Sequence, residues 1–232
     1  MISRYSSLGN FQSKGPGDIP LSGSVQFNGS NHLSSAQNLS FGTGQFCIEM
    51  WYLHVANPSG IQCLVGFGPA ANGSYAVLFN YGGTGRLSFY LENLSNYGGS
   101  GTIPTSGAWN HVVVQRRSDS KIEIFLNGTS IYISPSAVTT ALNISTGCQI
   151  GRQYSNAAGS NLLNGSRITG LRISNVARYS ANFTPSINRV NMPSGTLAAY
   201  NFSTSGTFLA GEGTSATLTN NGAVAWNSGV PT

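Results

Sequence analysis

Six carboxylates, three histidines and three cysteines are the side chains of this 232-residue sequence suited to acid-base, metal or thiol chemistry. Their spacing gives each little to work with. No two of Asp18, Glu49, Glu92, Asp119, Glu123 and Glu212 stand at i, i+2. Calcium takes six to eight oxygen ligands, usually with two or more carboxylates, and no acidic cluster offers them. His32, His54 and His111 lack ligand spacing, and no Ser-His-acid arrangement follows from position. Cys47, Cys63 and Cys148 form no CxxC pair, and Cys47 and Cys63 lie in apolar runs, so all three read as buried free thiols. The expectation is a chain with no catalytic residue, no metal and no cofactor.

Binding is better provided for. NYGGTG (80–85) and NYGGSG (96–101) are near-copies, and RQYSNAAGSN (152–161) has the same chemistry. Tyrosine offers a flat face and a hydroxyl, asparagine a paired donor and acceptor, and glycine lets the backbone approach, which together suit sugar rings. The candidate ligand-binding residues are therefore Asn80, Tyr81, Asn96, Tyr97 and Tyr154. A strand over 86–92 would hold the first two motifs about 23 Å apart, at opposite ends of the fold, unless the connection 93–108 turns back. The competing reading makes all three ordinary Gly-rich turns with a rim tyrosine. Trp51 and Trp109, set in apolar strands, read as core. His111 reads as satisfying a hydrogen bond at a strand edge. Arg178, Tyr179 and Phe183 read as a clamp on the last loop, with Phe183 inserted and Arg178 serving carbonyls.

The composition dictates the kind of scaffold. Ser, Gly, Asn and Thr make up 103 of the 232 residues, and only 7% are charged, against roughly 25% in an ordinary soluble domain. At 40% hydrophobic the chain still builds a core, and one domain is expected. The net charge of +5 comes from nine Arg and two Lys that are scattered, with Arg116-Arg117 the one doublet. Phosphate binding needs several cations on one face, so no nucleic-acid partner is expected. No stretch approaches 18 apolar residues, and MISRYSSLGNFQSKGPGDIP has no apolar signal segment, so neither membrane insertion nor secretion is expected. Nine N-x-S/T sequons are no more than so many Asn, Ser and Thr produce by chance.

Residues 1–22, rich in Gly and Pro, read as an N-terminal arm, mobile or ordered against a partner, and 23–232 as the folded domain. Short apolar runs with turns between them follow: 24–27, 46–53, 61–67, 75–79, 87–91, 112–114, 122–126, 131–133, 168–173, 197–202 and 223–226. Leu87, Phe89 and Leu91 alternate with polar or amphipathic neighbours, the pattern of a strand with one wet face. Asn127-Gly128 between KIEIFL and SIYI predicts a type I′ hairpin, and Ser118 to Ser120 a second reversal, giving a meander over about 111–133. FCIEMWYL, apolar on both faces, suits a central strand covered on each side. The fold expected is all-β, a sandwich of about a dozen short strands.

Five of these segments, in this order, resemble laminin-G-like members of the concanavalin A-like lectin and glucanase superfamily. They are VQFNGSNHLSS (25–35), FCIEMWY (46–52), WNHVVVQRRSDSKIEIFLNGT (109–129), Ile150-Gly151-Arg152 with LLNGSRITGLRISNVARYSANFTPS (162–186), and the tail from LAAYNF to TLTNNGAV (197–224). The resemblance covers about residues 24–226 and implies a concanavalin A-like jelly roll of two antiparallel sheets. RISNVARYSANFTP is similar to domains of bacteriophage virions. The glucanase branch carries two carboxylates at alternate positions of one strand. Here the matching strand has Glu49 alone, between Cys47 and Trp51. Gly170 stands before Leu171-Arg172, where the family often has an acid, and GEGTS (211–215) lacks the Asp often seen at that point.

The resemblance, together with a surface of hydroxyls, amides and glycine that tolerates permanent contact, implies a non-catalytic structural protein of a phage virion surface, a capsid decoration or tail component. Its arm would contact other virion proteins, and its surface other copies or a lattice. Localisation would be the virion surface after synthesis in the host cytoplasm. The alternative is a lectin or adhesin that recognises host-surface glycan through the tyrosine motifs, and the third reading is a glycoside hydrolase.

Overall fold

The computed structural model describes residues 19–56, 59–68, 75–79, 84–91, 95–98, 103–143, 147–153, 161–162 and 164–232. Their regular structure is all strand. In chain order these are β1 (Ser24–Gln26), β2 (His32–Ser35), β3 (Phe46–Leu53), β4 (Gln62–Phe67) and β5 (Tyr75–Phe79). Next come β6 (Leu87–Leu91), β7 (Ser95–Gly98), β8 (Trp109–Arg116), β9 (Ile122–Leu126) and β10 (Thr129–Ile133). The last five are β11 (Cys148–Ile150), β12 (Arg167–Ser174), β13 (Thr196–Tyr200), β14 (Thr219–Asn221) and β15 (Ala225–Asn227).

Two antiparallel sheets result. One runs β10-β9-β8-β3-β12-β1-β15, with β13 also on β12; the other runs β14-β2-β11-β4-β5-β6-β7. A bulge at Gly170, φ +58°, shifts the register of β12 against β3, so that one edge of β12 pairs with β1 before it and β13 after it. This is the two-sheet jelly roll expected from the sequence. β2, β7, β11 and β14 (HLSS, SNYG, CQI and TNN) were not among the apolar runs. Short and polar, they are strands because neighbouring ladders take up their backbone groups, a context that local composition does not encode.

The core lies between the sheets. Alternate residues of β3 (Phe46, Ile48, Met50, Tyr52) face it, with Val112 and Val114 of β8 and Val77, Phe79 and Phe89 opposite. Phe67 stacks on Tyr75 at 4.6 Å and Phe41 on Phe46 at 4.9 Å, and such pairs add to the area they bury. Arg116 is also inside. It is wholly buried, lies 5.5 Å over the Phe46 ring, and donates to the carbonyls of Gly44 (2.6 Å), Gly42 (2.6 Å) and Thr140 (2.8 Å). Half of the sequence's one basic doublet is thus a tie between two core-lining loops.

The β9–β10 turn has φ +51° at Asn127 and +79° at Gly128, the left-handed pair that the sequence predicted. Asn127 Oδ1 also accepts from His111 N at 2.7 Å. Gly128 is required twice, since a Cβ there would lie 1.8 Å from the Phe183 carbonyl oxygen.

Residues 1–18, most of the expected arm, fall outside the described residues. The expected boundary at 22 lies within the packed body: Pro20 bridges Asn188, Leu21 N donates to Ile187 O at 2.9 Å, and Leu21 is buried.

Candidate functional site

The other face of β3 carries Cys47, Glu49, Trp51 and Leu53, because side chains alternate along a strand. Strand pairing sets Gln115, Val113, His111 and Trp109 of β8 beside them, and Arg172 and Ser174 of β12 on the opposite flank. The segment 175–190 then crosses this face as a strap. Tyr179 and Phe183 stack at 3.7 Å and pack with Phe125 against Cys47 and Val113. Gln115 holds the strap by donating to Tyr179 O at 2.6 Å and accepting from the backbone N–H of Arg178 and Tyr179 at 3.1 and 3.2 Å. The expected clamp is present, except that Arg178 donates to hydroxyls, Ser174 Oγ at 2.8 Å and Thr196 Oγ1 at 2.6 Å, and not to carbonyls.

Where the strap leaves the sheet a cavity of about 160 Å³ opens, walled by Glu49, Trp51, His111, Arg172, Tyr179 and Arg189 among others. Glu49 is buried and engaged at both oxygens: Arg172 Nε donates to Oε1 at 2.5 Å and the Tyr179 hydroxyl to Oε2 at 2.5 Å. Burial opposes the charge on Arg172, but attraction and hydrogen bonding to Glu49 outweigh it and raise its pKa. Burial, then the negative charge of Glu49, pushes the Tyr179 hydroxyl up, so it stays a donor. Burial, then the same charge, holds the Cys47 thiol protonated, and the three cysteines are buried and free, as the sequence indicated.

His111 is not at a strand edge but on the central strand β8, with its ring edge-on to Trp51 at 5.0 Å. Its Nε2 lies 3.8 Å from Glu49 Oε2, and its Nδ1 is buried without a partner. Burial lowers its pKa to about 4 against the opposing pull of Glu49, so the imidazole is neutral at pH 7 and the contact is no ion pair. Below about pH 6.5 the unfolded chain takes up a proton that the folded chain refuses until about pH 4. His111 therefore removes about 3 kcal/mol of stability as pH falls through that window, and none above it. In urea unfolding from pH 7 to pH 4, His111→Gln is expected to lose distinctly less stability than the parent. Parallel pH profiles for the two proteins would contradict this.

Trp51 also borders a wider cavity of about 490 Å³, lined by Trp109, Gly107, Asn127 and Pro185. Trp51 walls both cavities, and its indole N–H donates to Ser186 O at 3.0 Å. Neither tryptophan is core as the sequence suggested; both are half-buried at this surface. Being on the outer parity of β3 and β8, they face away from the sandwich interior.

The sequence candidates fall elsewhere. Asn80, Tyr81 and Tyr154 lie outside the described residues. Asn96 and Tyr97 are on β7 at the edge of the second sheet, where Asn96 is exposed and Tyr97, opposite Phe89, packs partly on the core. The NYG of NYGGSG is therefore strand, folded back along β6 by cross-strand pairing, and the rest of the motif lies outside the described residues. The scattered arginines are corrected too: Arg172, Arg178 and Arg189 gather around Glu49 and the smaller cavity. Sequence reasoning gave Arg172 and Arg189 no role. The alternation of β3 puts Glu49 and Trp51 on one face, but their partners come from strands more than 50 residues away, and only the register joins them.

The family model Laminin_G_3, of the Concanavalin A-like lectin/glucanases superfamily, matches residues 27–182. No curated protein sequence matches the chain. Among solved structures, a candidate carbohydrate-binding protein from Bacteroides ovatus superposes with a TM-score of 0.70 at 16% identity, over 90% of this chain and 60% of its own. The heptameric SAP-like pentraxin of Limulus polyphemus gives 0.58 at 14%, over 91% and 96%. The Ruminococcus gnavus IT-sialidase CBM40 bound to α2,3-sialyllactose gives 0.51 at 12%, over 68% and 91%. At such identities these likenesses establish the shared fold alone.

Proposed function

Because the chain belongs to the Concanavalin A-like lectin/glucanases superfamily, we propose that it is a non-catalytic carbohydrate-binding domain whose site is the outer face of the larger sheet. The observation that carries this reading is the pair Trp51 and Trp109, half-buried around two adjoining cavities with amide and hydroxyl groups at the rim. Indole faces accept the C–H faces of pyranose rings, and neighbouring Asn and Ser groups bond their hydroxyls. The solved structures of similar fold, two of them described as binding carbohydrate or bound to a sugar, support the same direction.

Hydrolysis finds little support at this site. Among the described residues Glu49 is the one acid lining the smaller cavity. Both its oxygens are committed to Arg172 and Tyr179, which leaves neither a free base nor a mobile proton.

A glycan array on the purified protein tests the proposal, followed by calorimetry with the best ligand. Trp109→Ala is expected to weaken binding at least about tenfold with the circular dichroism of the parent retained. A blank array overturns the reading. Loss in Tyr97→Ala but not in Trp109→Ala would move the site to the edge of the other sheet.

One observation favours a second reading, a structural component of a phage virion surface displaying the same groove: a surface supplied by a chain only 7% charged suits permanent contact with copies of itself. Light scattering over a wide concentration range tests the contact, and a strict monomer throughout would count against it.

A further inference from the structure

The smaller cavity holds an excess of positive charge. Arg172 and Arg189 line it against Glu49 alone among the described residues, and Arg178 Nε lies 4.0 Å from Glu49 Oε1. Two of the eleven basic residues of a sparsely charged chain, Arg172 and Arg178, thus meet one carboxylate, and a third, Arg189, lines the same cavity as that carboxylate. Their donors are not used up. Arg172 places Nε on Glu49, while its two terminal nitrogens make no hydrogen bond to the described residues. Arg189 reaches Ser22 Oγ through Nη2 at 3.2 Å, and its Nε is buried with no acceptor. His111 lines the same cavity, and its Nδ1 is buried without a partner among the described residues.

A buried donor without an acceptor costs about 1–3 kcal/mol, and most buried polar groups in native proteins avoid that cost. One such donor on a small cavity, Arg189 Nε, beside the uncommitted terminal nitrogens of Arg172, describes a site awaiting an acceptor. We propose that this acceptor is the carboxylate of an acidic sugar. The inference rests on the glycan-binding reading and names the class of glycan. A planar guanidinium matches the two coplanar oxygens of a carboxylate, and Arg172 and Arg189 supply two such forks. The volumes agree with a divided ligand. A cavity of about 160 Å³ admits a carboxylate and the ring atoms next to it, and the cavity of about 490 Å³ that Trp51 also borders takes the remaining ring.

The probes are sialyllactose, lactose and sulfated lactose, and tetragalacturonate with its methyl ester, titrated calorimetrically into the whole protein. The acid form of at least one pair is expected to bind at least about tenfold tighter than its neutral counterpart, with the advantage shrinking as salt rises. In Arg189→Gln the ratio of acid to neutral affinity is expected to fall toward one. Equal binding of acid and neutral forms overturns this inference and leaves the glycan reading standing. Sulfated lactose binding as tightly as sialyllactose overturns the carboxylate assignment. No binding of any probe, with a blank glycan array, overturns both.

Discussion

Arg116→Met is expected to lower the unfolding free energy by about 4 kcal/mol and the melting temperature by about 8–16 °C. Arg116 is wholly buried, and no carboxylate among the described residues pairs with it; its acceptors are backbone carbonyls of residues 42–44 and 138–140. Those carbonyls remain when the side chain changes. Gly42 O keeps a second donor in Leu142 N at 2.8 Å, but Gly44 O and Thr140 O have no other hydrogen bond among the described residues. A methionine fills much of the volume and restores none of the donors, which separates the hydrogen-bond loss from a cavity. Arg116→Lys should recover part of the loss, because one ammonium cannot span acceptors that a planar fork reaches on two loops. Urea unfolding of the three proteins measures this. A loss below about 1 kcal/mol in the Met variant would mean that water reaches those carbonyls.

Glu49→Ala is expected to cost about 3–5 kcal/mol, with the damage concentrated in the strap 175–190. The substitution leaves Arg172 and Arg178 facing each other with no anion between them and takes the acceptor from the Tyr179 hydroxyl. Burial and the nearby charge of Arg172 already lower the pKa of Arg178, so losing Glu49 removes the main counterweight. Glu49→Gln keeps an acceptor for Tyr179 and should cost less. The double variant Glu49→Met with Arg172→Met should regain at least half the loss of Glu49→Ala, since an apolar pair can replace a buried ion pair at little cost. Amide hydrogen exchange gives the spatial test. Protection should fall in 175–190 while β3 and β8 stay protected; uniform loss across the sandwich would show that the cluster supports the core and not the strap.

Much of the sandwich was legible in the chain because local rules governed it. The Asn127-Gly128 turn, the β8–β9–β10 meander and the two-faced burial of β3 each follow from residue types within about ten positions of one another. Polar strands such as HLSS and TNN escaped the reading of apolar runs, because nothing in their own residues distinguishes them from loops. They pair as β11-β2-β14 only because Gln149 meets Ser34 and Ser34 meets Thr219 across long stretches of chain. The same limit hid the cluster around Glu49. Repeated NYGG motifs drew attention to Tyr97, which lies along β6, while Trp51 and Trp109 were assigned inward.

The sequence by itself determined that this protein is a sparsely charged β-sandwich with buried thiols, built from short strands whose turns are written in Asn, Gly and Ser. Which way Trp51, Glu49 and His111 face, and that three arginines meet there, was decided by tertiary structure. The reason is geometric. A shift of one residue in pairing would turn β3 over and exchange its faces, and that register is set by partners as distant as Arg172 on β12.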